Sequence, residues 1–124
     1  MLAKYGISTI YAEYLTLSQQ QKVFEKTRYL VALQGMGLIQ QFFMNNSESS
    51  VIEIMPANRL QSEYYWQAYV LGTHYYDVLV GTELNKDGYY NIDLSNLEIA
   101  IKKMLDYDSV EKKYGRVSIT NSNI

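Results

Sequence analysis

A chain of 124 residues, 48% hydrophobic and 19% charged, has the composition of one globular domain, and chains of ~150 residues already bury about two-thirds of their unfolded surface. A net charge of −2 with only two lysine doublets, Lys102–Lys103 and Lys112–Lys113, argues against the basic stripe that tracks nucleic acid, and no apolar run reaches the roughly 20 residues of a membrane span. The chain has no cysteine, which excludes disulfides and thiolate metal sites. Met1 to Tyr5 has no secretory pattern, so a cytoplasmic location is expected.

Leu2, Lys4 and Tyr5 followed by Gly6 read as a last helical turn closed by glycine. Ile7 to Tyr11 reads as a first strand, with Glu13 and Tyr14 in the loop beyond it. Ser18 and Gln21 make a capping-box pattern that opens a helix through Val23 and Phe24, ending near Arg28. The stretch that organises the rest follows. Tyr29 to Leu33 is apolar without alternation, as in a parallel strand covered on both faces. Gly35 and Gly37 allow a tight turn. Leu38, Ile39, Phe42 and Phe43 then have helical spacing, with Gln40 and Gln41 on the outward side. A strand, turn and helix of this kind are where α/β sheets place ligands.

Asn45 to Ser50 reads as an exposed polar loop. Val51 to Met55 is a strand ended by Pro56 and interrupted near its carboxyl end by Glu53. Ser62 is placed to cap a helix that shows Tyr65, Ala68 and Tyr69 on one face and closes at Gly72. His74 to Val80 is the next strand, its histidine a half-exposed structural residue, and Gly81 to Tyr90 is turn-rich. Ser95 with Glu98 caps the last helix, Leu94 and Ile99 form its hydrophobic staple, and Leu97, Ile101, Met104 and Leu105 line its inner face. The pattern fades after Asp106, leaving 107–124 as a tail in which Val117 to Thr120 is an edge strand or part of a mobile end.

Repeated strand and helix give an α/β fold class: a three-layer α/β/α, Rossmann-like domain over residues 1–106 with a mostly parallel sheet of about four strands. Short connections then gather Glu13, Gln34, Gly35, Gly37, Glu53, Pro56 and Asn58 along one edge. Glu83, Asp87 and Asp93 lack ligand spacing, so no metal site is expected. The thirteen tyrosines, with adjacent pairs at Tyr64–Tyr65, Tyr75–Tyr76 and Tyr89–Tyr90, suit half-buried strands, interfaces or a stacking surface.

Gln34-Gly35-Met36-Gly37-Leu38, Phe43-Met44, Val51-Ile52-Glu53-Ile54-Met55-Pro56, Tyr65-Trp66, Leu71-Gly72 and Tyr75-Tyr76 together resemble, in order and spacing, the carboxyl-terminal half of glycosyltransferase family 61. The resemblance covers roughly residues 2 to 105. It implies the donor-binding half of a two-domain transferase that moves a sugar from a nucleotide sugar, such as a UDP-sugar, to an acceptor. On that reading Gln34, Gly35, Met36, Gly37, Glu53, Pro56 and Asn58 face the nucleotide, the helix starting near Gly37 offers free N–H groups to a diphosphate, and Glu53 bonds ribose hydroxyls. The motif's histidine is Gln34 here, a neutral amide that orients a ligand but does not titrate. No catalytic residue, cofactor or metal is assigned. The amino-terminal half of such a transferase is missing, so the expectation is a half-enzyme inactive by itself. The alternatives are a non-catalytic α/β module that forms a homo-oligomer through its aromatic surface, and a different small Rossmann-like enzyme using the same strand ends.

Overall fold

The computed structural model describes residues 2–114. The segment Val117 to Thr120, expected as an edge strand or mobile end, lies outside them. Three strands, β1 (Tyr29–Leu33), β2 (Ser50–Met55) and β3 (Tyr75–Val80), form one sheet in the order β1-β2-β3. Both pairings are parallel, with Val31 opposite Ile52 and Ile52 opposite Asp77. The central strand is buried at every position, which is why its sequence is a nearly unbroken aliphatic run. The helices are α1 (Leu17–Glu25), α2 (Glu63–Leu71) and α3 (Leu94–Tyr114).

Alternate residues of the strands feed two cores. On one face Val31, Ile52, Ile54 and Leu79 pack with Leu97, Ala100, Ile101 and Met104 of α3. On the other, Leu30, Ala32, Val51 and Tyr76 pack with Leu38 and with Tyr64 of α2. The inner face expected for the last helix is therefore present, and the helix runs on to Tyr114, beyond the fading of the apolar pattern at Asp106.

Ile7 to Tyr11 is not a strand. Of its apolar residues only Ile7 packs against the core, while Ile10 and Tyr11 are exposed, so too little apolar area is buried to hold it against the sheet. The placement of Glu13 at the sheet edge falls with it. The first helix is capped two residues earlier than expected: Thr16 Oγ1 accepts from Gln19 N at 3.2 Å and Gln19 Oε1 accepts from Thr16 N at 2.9 Å. Thr16-Leu17-Ser18-Gln19 has the same capping-box pattern as the Ser18 alternative. Asp93 caps α3, its Oδ1 accepting from Ser95 N at 2.8 Å and Asn96 N at 3.3 Å. With Asp93 as cap, the staple positions move to Ile92 and Leu97, which both join the core, and Leu94 and Ile99 are exposed.

The helix expected after Gly37 is a 3₁₀ segment over Met36–Phe43. Three residues per turn put positions 38, 41 and 44 on one side. Leu38, Gln41 and Met44 are accordingly buried and Phe42 is exposed, the reverse of the expected arrangement for Gln41. The expected loop before β2 is also shorter. Asn46–Glu48 forms a 3₁₀ turn, and Ser49 and Ser50 are buried, Ser50 within the strand. In α2 the inward residues are Tyr64 and Ala68, leaving Tyr65 and Tyr69 exposed.

Candidate functional site

Parallel register brings the ends of all three strands to one edge, where Leu33 lies opposite Ile54 and Met55 opposite Val80. Beyond β1 the Gln34 N–H continues the ladder to Ile54 O at 2.6 Å, and Gln34 Nε2 donates to Arg59 O at 3.1 Å. Gly35 follows with φ 145° and ψ −165°, a region that only glycine occupies without strain. Its carbonyl accepts from Leu38 N at 3.0 Å, starting the 3₁₀ segment that carries the backbone of Met36 and Gly37.

Beyond β2, Pro56 is buried and its carbonyl accepts from Arg59 N at 3.1 Å. Asn58 is bound at both ends of its amide: Oδ1 accepts from Leu84 N at 2.8 Å and Nδ2 donates to Leu84 O at 3.2 Å. Ala57 N donates to Thr82 O at 3.1 Å. The three loops at this edge are thus tied to one another. Gly81 lets the third pass closely, since a Cβ there would meet Asn91 O at 2.5 Å. Gln34, Gly35, Pro56 and Asn58 are together at the rim, with Asn58 serving the loop frame.

Glu53 is not on the rim. It sits within β2, opposite Ala32 and Val78, and is fully buried. Tyr76 OH donates to its Oε1 at 2.7 Å, while Oε2 has no hydrogen-bond partner. Burial pushes the carboxyl above its ordinary value, more than the Tyr76 bond lowers it. The Tyr76 phenol is raised as well, by burial first and then by its bond to Glu53. Gln41, also fully buried, donates to Tyr64 O at 3.2 Å and to Gln67 Oε1 at 3.1 Å, bracing the 3₁₀ segment against α2.

A second polar cluster lies at the opposite edge, where the strands begin. Asp108 of α3 is buried and accepts from the Tyr29 hydroxyl. It also pairs with Arg28 Nη2 at 3.1 Å and His74 Nε2 at 3.2 Å. Burial, then the bond to Asp108, pushes the Tyr29 phenol up to about 12. The histidine expected to be half-exposed has a side chain only 6% exposed. Nothing local in the sequence marks Asp108. Its partners are distant in the chain, and the one signal at hand was a carboxylate one helical turn beyond Met104 on the inner face.

Among the described residues no group of three or more His, Cys, Asp and Glu side chains could hold a metal ion, and no helix is long and apolar enough to cross a membrane. Comparison with family models, with curated proteins and with solved structures finds no match to this chain. What the geometry defines is an α/β protein with an open three-stranded parallel sheet. Its carboxyl edge presents backbone groups and amides, and its amino edge holds the titratable cluster around Asp108.

Proposed function

We propose that this chain is a nucleotide-sugar-binding domain of the glycosyltransferase type, similar to the donor half of family 61, with its ligand over Gln34 to Gly37. The supporting observation is the turn after β1. Gly35 holds a glycine-only conformation at the carboxyl edge of a parallel sheet, the side from which open α/β sheets take ligands, and the amides of the following 3₁₀ segment start there. A three-layer, Rossmann-like arrangement with a further strand belongs to the same reading. Glu53, being buried, serves it by fixing Tyr76 and β2 beneath the rim, and transfer to an acceptor requires a second half. The test is thermal unfolding with UDP and other nucleotides. A ligand at a hundred times its dissociation constant raises stability by about 2.7 kcal/mol. No shift with any nucleotide overturns the reading.

A second reading is favoured by α2. Trp66 is 57%, Tyr69 72% and Val70 82% exposed, beside Phe42 at 53%. Exposed apolar side chains grouped on one helix are usually covered, which supports an interaction module that forms a homo-oligomer through this surface. Its solution mass tests that reading: a strict monomer at all concentrations overturns it.

A further inference from the structure

A cleft of about 330 Å³ opens at the start of β3, between α2 on one face of the sheet and α3 on the other, within the roughly 300–1,000 Å³ of small-molecule sites. Its walls are mostly tyrosine rings. Tyr65 and Tyr76 meet edge to face, with centroids 5.9 Å apart and planes at 78°. Tyr75 and Tyr107 form the other wall at 5.3 Å and 41°, and Tyr69 stands at the mouth, 72% exposed. No lysine or arginine is among the lining residues. The one basic side chain there, His74, lies against the Asp108 carboxylate. Thr73 Oγ1 is buried at this cleft without a hydrogen-bond partner.

We infer that this cleft is an aromatic cage for a quaternary or fully methylated ammonium group. Ring faces carry the negative part of the aromatic quadrupole, and rings set at steep angles around one space present several faces to a single cation. A phosphate or sulfate finds no cation there to pair with. The Thr73 hydroxyl oxygen has no accessible surface, so recognition in the cleft rests on the rings. The site is at the opposite edge of the sheet from Gln34 and Gly35, so it stands independently of the nucleotide reading.

The experiment titrates the full chain with choline and with trimethyl-lysine, following tyrosine fluorescence and ligand NMR, beside 3,3-dimethylbutan-1-ol, the uncharged carbon isostere of choline. The expected result is saturable binding of both cations at concentrations up to about 10 mM and none of the isostere. Choline alone would point to a free or headgroup cation, and trimethyl-lysine alone to a modified peptide; either supports the cage. Tyr69→Ser weakens binding by about threefold to tenfold and Tyr69→Phe retains it. Tyr69 is too exposed for either change to unfold the chain, and a UDP titration of both variants stays unchanged wherever the native chain binds UDP. Binding of the isostere as tightly as choline, indifference to Tyr69→Ser, or no binding of either cation overturns the inference.

Discussion

Tyr76 donates its hydroxyl hydrogen to Glu53 Oε1 at 2.7 Å, a diagonal bond across one face of two adjacent parallel strands. The bond gives a buried carboxyl one partner and leaves its second oxygen without any. Because burial raises this group above its unfolded value, its contribution to stability is fully present below the unfolded value of about 4.3 and is lost as pH rises through the folded one. Glu53→Gln keeps the shape and the acceptor for Tyr76 and removes the charge. The variant is expected to unfold at higher urea than the native chain near neutral pH, by on the order of 1 kcal/mol, and to match it in acid. Urea melts from about pH 4 to about pH 8 measure the difference.

Gly35 offers a separate test of the rim. A Cβ there meets nothing within 4 Å, so space is not the constraint. Its φ of 145° is, and Gly35→Ala is expected to cost about 1–3 kcal/mol through backbone strain alone. Urea unfolding gives the cost. A variant as stable as the native chain would mean that the turn relaxes, and the position would then lose its claim to fix the loop.

Much of this fold is legible from local pattern, for reasons visible in particular residues. β2 stands out because a strand covered on both faces has to be apolar at successive positions. β1 has the same apolar run but lies at the edge of the sheet, half-buried with Leu33 exposed, against the expectation of cover on both faces. Gly72 announces the end of α2 because it takes φ 73°. Gln41 was hidden for a geometric reason. The stripe after Gly35 reads one way at 3.6 residues per turn and another at 3.0, and contacts with Tyr64 and Gln67 from α2 accompany the tighter winding. At the site, Gln34, Gly35, Pro56 and Asn58 could be gathered from strand ends alone. The burial of Glu53 could not, since it depends on Tyr76 of the neighbouring strand and on the packing around β2. The partners Tyr29 and Asp108, 79 positions apart, meet only once α3 has packed across the sheet.

Asp108 is the point where the amino edge is fastened. Asp108→Ala removes the acceptor shared by Arg28, Tyr29 and His74 and is expected to cost about 2–3 kcal/mol, because two of the donors are left in poorly hydrated positions. Arg28 is 45% exposed and recovers hydration, which holds the loss below that of a fully buried pair. Asp108→Asn retains an acceptor and is expected to lose less. A loss from Asp108→Asn as large as that from Asp108→Ala, read from urea melts, would show that a neutral amide does not replace the carboxylate, and no loss from Asp108→Ala would show that the cluster does not fasten this edge.

At the other end of α3, Glu98 Oε1 accepts from Tyr5 OH at 2.6 Å and lies 2.5 Å from Lys4 Nζ. These two bonds, Lys4 first, lower the Glu98 carboxyl to about 2. A lowered carboxyl contributes stability that is present above its unfolded value and is lost as pH falls through the folded one, so Leu2–Tyr5 is expected to detach from α3 in acid before the sheet unfolds. Glu98→Gln should produce the same detachment at neutral pH. Hydrogen exchange locates it: the amides of Gly6 and Ile7, bonded to Ala3 O and Leu2 O, should exchange faster in the variant, while those of β2 keep their protection. Unchanged exchange at Gly6 and Ile7 would mean that Leu2 and Tyr5, through their packing on the core, hold the segment without help from the carboxylate.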